Sequence, residues 1–194
     1  MRPATVIGHR ESFIMRKFLL GLAAVSFMST AAFANPMVGG AAMYPSKNIV
    51  QNAVNSPINT TLVAAVKAAG LAGTLQGPGP FTVLAPTNAA FAALPKGTVA
   101  TLLKPENKAK LVKILTCHVI PGRALSTDII SMAKADGGVH KVRTVGGCVL
   151  GLSVRGKNVY IRDETGHTAR VTIANVLQSN GVIHVINRVL LPKA

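Results

Sequence analysis

Residues 79–91 read GPFTVLAPTNAAF, and residues 180–192 read NGVIHVINRVLLP. In the first stretch Phe81 to Leu84 is a short apolar run in which Thr82 and Val83 favour extended backbone, and Pro86 keeps Ala85 out of the helical region. A strand therefore ends at Ala85 or Pro86. Thr87 supplies an N-cap hydroxyl, and the run from Asn88 through Phe91 to Leu94 has helix-forming composition up to Pro95. Thr87 and Asn88 thus read as a strand-to-helix corner whose side chains bond nearby backbone groups.

The second stretch is a strand after a turn. Asn180-Gly181 is a turn dipeptide. Beyond it Val182, His184, Ile186, Arg188 and Leu190 fall on one side, and Ile183, Val185, Asn187, Val189 and Leu191 on the other. Both sides are largely apolar, so the strand is covered on both faces. His184 and Asn187 are then buried or half-buried polar groups in need of partners, and Pro192 ends the pairing.

Upstream of both stretches the sequence reads as an export signal. Met15-Arg16-Lys17 makes a basic start, Phe18 to Phe33 is an apolar run, and Ala32-Phe33-Ala34 is a small-residue cleavage pattern. The expected division is residues 1–14 as an upstream extension, 15–34 as a secretory signal peptide, and a mature chain from Asn35. The apolar run is too short and too cleavable for a permanent transmembrane anchor. Asn35 to Pro45, with Gly39-Gly40-Ala41-Ala42, reads as a disordered lead-in. What remains is large enough for one domain with a real core.

Between the two stretches the pattern is first helical, then extended. Helices are predicted over Asn48 to Asn55 and Thr60 to Ala69, the latter stopped by Gly70, then over Thr98 to Leu103, from Pro105 onward, and over Ser126 to Ala135. In the helix after Pro105, Leu111, Ile114 and Leu115 face inward and Lys108, Lys110 and Lys113 reach water. From His140 the chain turns to hairpins: His140 to Val145, Cys148 to Arg155, Asn158 to Arg162 and Thr168 to Val176, separated by glycine-containing turns. Leu150, Leu152 and Val154 share the core-facing side of the second, and Ser153 and Arg155 point outward. The fold class is α+β.

With these residues in view, the two stretches resemble the signature segments of the fasciclin (FAS1) domain family, over roughly Ser46 to Pro192. The resemblance implies a wedge-shaped β-sandwich flanked by several short helices, and adhesion or surface interaction rather than catalysis. Thr116-Cys117-His118-Val119-Ile120-Pro121-Gly122 is similar to the family's internal Tyr-His segment, with Cys117 in place of the tyrosine and His118 retained. Vertebrate members use the tyrosine segment, and an aspartate where this chain has Asn187, in integrin contacts. Integrin recognition is therefore not implied. The resemblance gives Thr82, Pro86, Thr87, Asn88, Phe91, His118, Pro121, Gly122, Asn180, Gly181, His184 and Asn187 as scaffold positions, with His118 in a buried hydrogen bond that ties the signature strands.

Two cysteines are present, Cys117 and Cys148, both read at strand starts. An oxidising compartment would let them pair; the alternative is two separated buried thiols. Cys117 and His118, as neighbours on a strand, point to opposite faces and do not make a nucleophile and base. No nucleophile elbow and no phosphate-cradling glycine loop occurs. His118, His140, His167 and His184 lack metal-ligand spacing, and Asp163-Glu164 reads as a turn without the apolar surroundings that would raise a carboxyl pKa. The chain reads as no enzyme, with no metal and no cofactor.

Charge points to the partner. Without residues 1–34, which hold Arg2, Arg10, Arg16, Lys17 and Glu11, 17 basic residues face five acidic ones, a net +12 against +15 for the whole chain. Lys141, Arg143, Arg155, Lys157, Arg162 and Arg170 fall in the hairpin region, several with outward parity, and make a candidate anion-binding surface. In a periplasmic or extracellular location such a surface meets proteins, acidic polysaccharide or anionic lipid headgroups. Nucleic acid is not expected, because Tyr44, Tyr160 and a few phenylalanines offer little stacking. Two functions result: an envelope or matrix interaction module, or a small-ligand or lipid carrier with a pocket between helices and sheet.

Overall fold

The computed structural model describes residues 35–193, so the upstream extension and signal peptide lie outside the described residues. A small hairpin of β1 (Met37–Val38) and β2 (Ala41–Ala42) leads to helices α1 (Ile49–Ala53), α2 (Thr60–Ala69) and α3 (Ala72–Gln76). Strand β3 (Phe81–Pro86), helices α4 (Asn88–Ala92) and α5 (Thr98–Leu102), a 3-10 turn at Pro105–Asn107 and helix α6 (Lys108–Thr116) follow. The chain continues through β4 (Val119–Pro121), α7 (Ser126–Ala135) and five strands: β5 (Val139–Arg143), β6 (Val149–Arg155), β7 (Asn158–Arg162), β8 (Thr168–Gln178) and β9 (Gly181–Ile186).

The two signature strands are neighbours: β3 and β9 run parallel in register from Phe81↔Gly181 to Pro86↔Ile186. Hydrogen bonding orders the sheet β4-β3-β9-β8-β7-β6-β5. Strand β8 belongs to both halves. Its first residues pair with β7, its last with β9, and irregularities between Val171 and Val176 bend it. Asn175 lies at this bend with φ 59°, a left-handed conformation that asparagine tolerates.

The bend lays one half of the sheet over the other and produces two cores. Val83, Ala85, Ile183 and Val185 meet Leu62, Phe91, Leu111, Ile114 and Leu115 under the helices. Leu84, Ile186 and Leu190, on the other side, meet Leu150, Leu152, Ile161 and Ala169, with Ile129 of α7. The period-2 alternation of β3 and β9 thus serves both cores, and β9 is buried along its whole length. Leu84, Ile161 and Ile186 are fully buried, each such side chain contributing about 1.5–3 kcal/mol.

Residues 35–45 differ from the disordered lead-in expected. The β1–β2 hairpin brings Val38 and Met43, 3% and 2% exposed, into the first core, and Gly39 sits against Ile58 and Pro57. Burial of those two side chains supplies what the short glycine-rich segment lacks locally. Helix α3 was also illegible, since Gly73 breaks its pattern.

Cys117 and Cys148 form a disulfide with a Cα separation of 5.4 Å. Cys117 is the C-cap of α6, not a strand start: its amide donates to the Lys113 carbonyl, and the His118 amide to the Leu115 carbonyl. The helical turn persists because the buried Leu111, Ile114 and Leu115 hold α6 against the core up to that point. The bridge spans 31 residues, a closure worth about 3–4 kcal/mol on the chain-entropy model. Reduction is expected to lower the melting temperature by about 10 °C; scans with and without reductant check this, and identical melts would show that the bridge contributes nothing.

Candidate interaction surface

The signature positions build a frame of buried polar contacts. Thr82, fully buried, donates through Oγ1 to the Gly122 carbonyl at 2.8 Å and accepts from the Ala124 amide at 2.9 Å. Gly122, at φ 93°, donates its amide to the Pro80 carbonyl, while Pro121 ends β4 opposite Phe81. The Pro86 carbonyl accepts from Asn59 Nδ2 at 2.8 Å. Thr87 Oγ1 caps α4 by accepting from the Ala90 amide, and Phe91 is buried one turn on. Asn88 reaches across to α2: Oδ1 accepts from the Thr61 amide, and Nδ2 donates to the Pro57 carbonyl and Thr60 Oγ1.

Asn180 is a junction of three segments. Its Oδ1 accepts from the Ile49 amide, and its Nδ2 donates to the carbonyls of Leu75 and Gly77. The turn itself lies one residue earlier than the dipeptide suggests, with Gly181 already the first residue of β9. His184 Nδ1 accepts from the Asn175 amide at 3.2 Å, so Nε2 carries the proton it donates to the Ala124 carbonyl at 2.9 Å. Burial first of all keeps this imidazole below its ordinary pKa. Asn187 is exposed, contrary to the buried or half-buried expectation. It stands just past β9, where its amide and Oδ1 continue the ladder to Arg170.

His118 is buried at the join of α6 and β4. Its Nδ1 lies 2.8 Å from the Ile114 carbonyl, and its Nε2 accepts from the Leu190 amide at 2.9 Å. The neutral Nδ1–H tautomer satisfies both partners. Desolvation lowers its pKa to about 4, partly opposed by the Ile114 bond and the charge of Asp163.

Asp163 is the residue that sequence reading missed. It is 5% exposed, not an open turn acid. Oδ1 accepts from Thr165 N, Thr165 Oγ1 and His167 N, and Oδ2 from the Leu191 amide at 3.0 Å. Glu164 Oε2 accepts from the Lys193 amide and Oε1 from that of Val149. Since Pro192 has no amide proton, every backbone donor from Leu190 to Lys193 is held by a side chain: His118, Asp163 and Glu164. The Asp-x-Thr-Gly sequence was the available signal, an Asx-turn pattern.

The hairpin half of the sheet has one face on the second core and one open to solvent. The strand registers align Val139, Ser153, Tyr160 and Arg170 in one row across β5 to β8, and Lys141, Gly151, Arg162 and Thr168 in the next. Arg143 opposite Val149, and Arg155 opposite Asn158, lie on the same side. Lys141, Arg143, Arg155, Arg162 and Arg170 are all exposed, with Lys157 in the β6–β7 turn. The Arg155 guanidinium sits 5.3 Å from the Tyr160 ring centroid, and Arg143 Nη1 donates to the Gly147 carbonyl at 3.4 Å.

No salt bridge among the described residues pairs these cations. Among the described residues the ion pairs are Lys104–Glu106 and His140–Asp136, neither involving these cations. Asp128 and Asp136 belong to α7 and its C-terminus, on the core side of the hairpins. Glu164 borders the face, both oxygens accepting from backbone amides while its charge acts on Arg143 alone of these five cations.

Between helices and sheet lies an apolar cavity of about 80 Å³, lined by residues such as Met43, Leu62, Leu75, Phe81 and Val176. No helix of the described residues is long and apolar enough to cross a membrane.

A parallel pair of signature strands, braced by buried polar side chains and carrying a folded-over hairpin sheet, defines a FAS1-type β-sandwich. The Fasciclin domain family model matches residues 58–192, and the chain belongs to the fasciclin family. It is 46% identical over 177 residues to protein sll1483 of Synechocystis, covering 90% of this chain and 91% of that one. It is 31% identical over 192 residues to the cell surface glycolipoprotein MPB83 of Mycobacterium bovis, covering 86% and 79%. The FAS1 domain pair of the insect cell adhesion molecule Fasciclin I shares the fold, with TM-score 0.68 and 16% identity. The match covers 75% of this chain and 51% of that one, about half of the pair.

Proposed function

We propose that this chain is an exported attachment module that holds anionic components of a cell envelope or matrix on the open face of β5 to β8. The observation that carries this reading is the set of five exposed cations on one side of one sheet, none in an ion pair among the described residues. In a flat array their fields add, and a polyanion gains from each. Relatives named for the cell surface and for cell adhesion support the setting.

The carrier alternative gains little support from the cavity. At about 80 Å³ it is well short of the ~300–1,000 Å³ of ordinary ligand pockets.

The test is retention of the mature protein on envelope material from its own source. Wild-type protein should be held at low salt and released as salt rises. The variant with Lys141, Arg143, Arg155, Arg162 and Arg170 all changed to serine should pass through, with its fold intact because these side chains are exposed. Equal retention of the variant, or indifference to salt, rejects the proposal.

A further inference from the structure

Resting on that reading of the face, we infer that its partner is a linear acidic polysaccharide lying obliquely across the four strands, rather than a membrane or a small anion. Four cations form a file in the order Arg143, Lys141, Arg162, Arg170. Strands are ~4.8 Å apart and same-side residues along a strand ~6.8 Å apart. Lys141 and Arg162 are two strands apart in one row, hence about 10 Å apart at the backbone. Arg162 and Arg170 are diagonal neighbours at about 8 Å, and the whole file spans roughly 20 Å. A phosphate or a single sugar acid meets one or two of these groups. A chain bearing a charge on successive units meets all four.

The floor of the file suits an extended chain. Gly151 sits between Lys141 and Arg162 in their row and presents no side chain, so the floor there is low, covered only by the Val139 Cγ1 methyl 3.2 Å from where a Cβ would stand. Ser153, two residues along β6, and Thr168, on the far side of Arg162, offer hydroxyl partners for sugar hydroxyls. Where β5 to β8 pair with one another the outward apolar surface is Val139, Val149 and the half-buried Tyr160, with Val145 exposed just past β5 and Leu177 at the far end of β8. These scattered side chains form no contiguous apolar face with Trp, Phe or Leu clustered for interfacial anchoring.

The experiment titrates the mature protein with linear polyuronate fragments of graded length, with inorganic phosphate, and with phosphatidylglycerol vesicles. Affinity should climb steeply until a fragment spans about 20 Å and then level off, with weak binding of phosphate and vesicles. Reversal of two cations in the file, Lys141→Glu with Arg162→Glu, should weaken long-fragment binding by about 100-fold. The helix-side control Lys104→Glu with Lys110→Glu should change it little. Gly151→Thr pushes the Val139 methyl aside and raises the floor without altering charge, and should weaken long fragments more than short ones; if it fails to fold, the charge pair still decides. Equal affinity for short and long fragments, or equal weakening by the control, overturns the inference. Vesicle binding that is lost on the file reversal would reject the polysaccharide and leave the attachment face standing, whereas envelope retention by the five-serine variant would remove both.

Discussion

Alanine at position 181 is expected to destabilise the domain by about 4 kcal/mol or more, enough to leave much of the protein unfolded, given typical domain stabilities of ~5–15 kcal/mol. A Cβ there would collide with the Phe81 carbonyl oxygen and lie 3.0 Å from Phe81 N and C. Those are backbone atoms of the paired strand, with no rotamer to yield. Relief requires pulling β9 from β3, and every residue of β9 is buried. Gly73→Ala is the matching control. Position 73 lies inside α3 with nothing within 4 Å of an added Cβ, so alanine there should be neutral or stabilise by up to about 1 kcal/mol. Urea midpoints of the two variants check the pair: a Gly181→Ala midpoint close to wild type would mean that the strands part at no cost.

His118→Ala should cost about 3–5 kcal/mol, since it strands the Leu190 amide and the Ile114 carbonyl in the interior and opens a void. A fall in melting temperature of about 10 °C or more follows for a domain of this size. The same histidine makes stability depend on acid. Its folded pKa, about 4, is below the unfolded 6.5. Between those values the unfolded chain binds the extra proton, so stability falls as pH falls from 6.5 to 4 and the loss is complete below 4. At ~1.4 kcal/mol per pH unit the loss is about 3 kcal/mol. Buried His184, also lowered by desolvation, acts in the same direction. In His118→Gln the acid limb of stability against pH should lose about one proton of slope; an unchanged slope would sink the assignment.

Much of the fold was legible because its signals are local. Pro86 and Thr87 mark the β3–α4 corner, Gly70 takes the left-handed cap that stops α2, and alternation in β6 separates Leu150 and Leu152 from Ser153 and Arg155. The cationic side of the hairpins was legible for the same reason, since parity along a strand sets its face. Other features depend on partners distant in the chain. Asp163 reads as a turn acid until Leu191 arrives over it, and Cys117 reads as a strand start until α6 packs and carries its last turn past it. Gly181 reads as half of a turn dipeptide, yet glycine is needed there because Phe81 passes so close.

The amino-acid order alone determined the period of each element, the stops between them, the excess of positive charge and the side of each hairpin strand that carries it, because these depend on neighbours a few residues apart. Only the tertiary structure decided that β3 and β9 lie side by side, that the bend in β8 folds the hairpins over a second core, and that four cations from three strands line up in one file. Those outcomes rest on contacts between residues a hundred or more positions apart, such as Phe81 with Gly181, whose free energy comes from burying the two cores together rather than from any local preference.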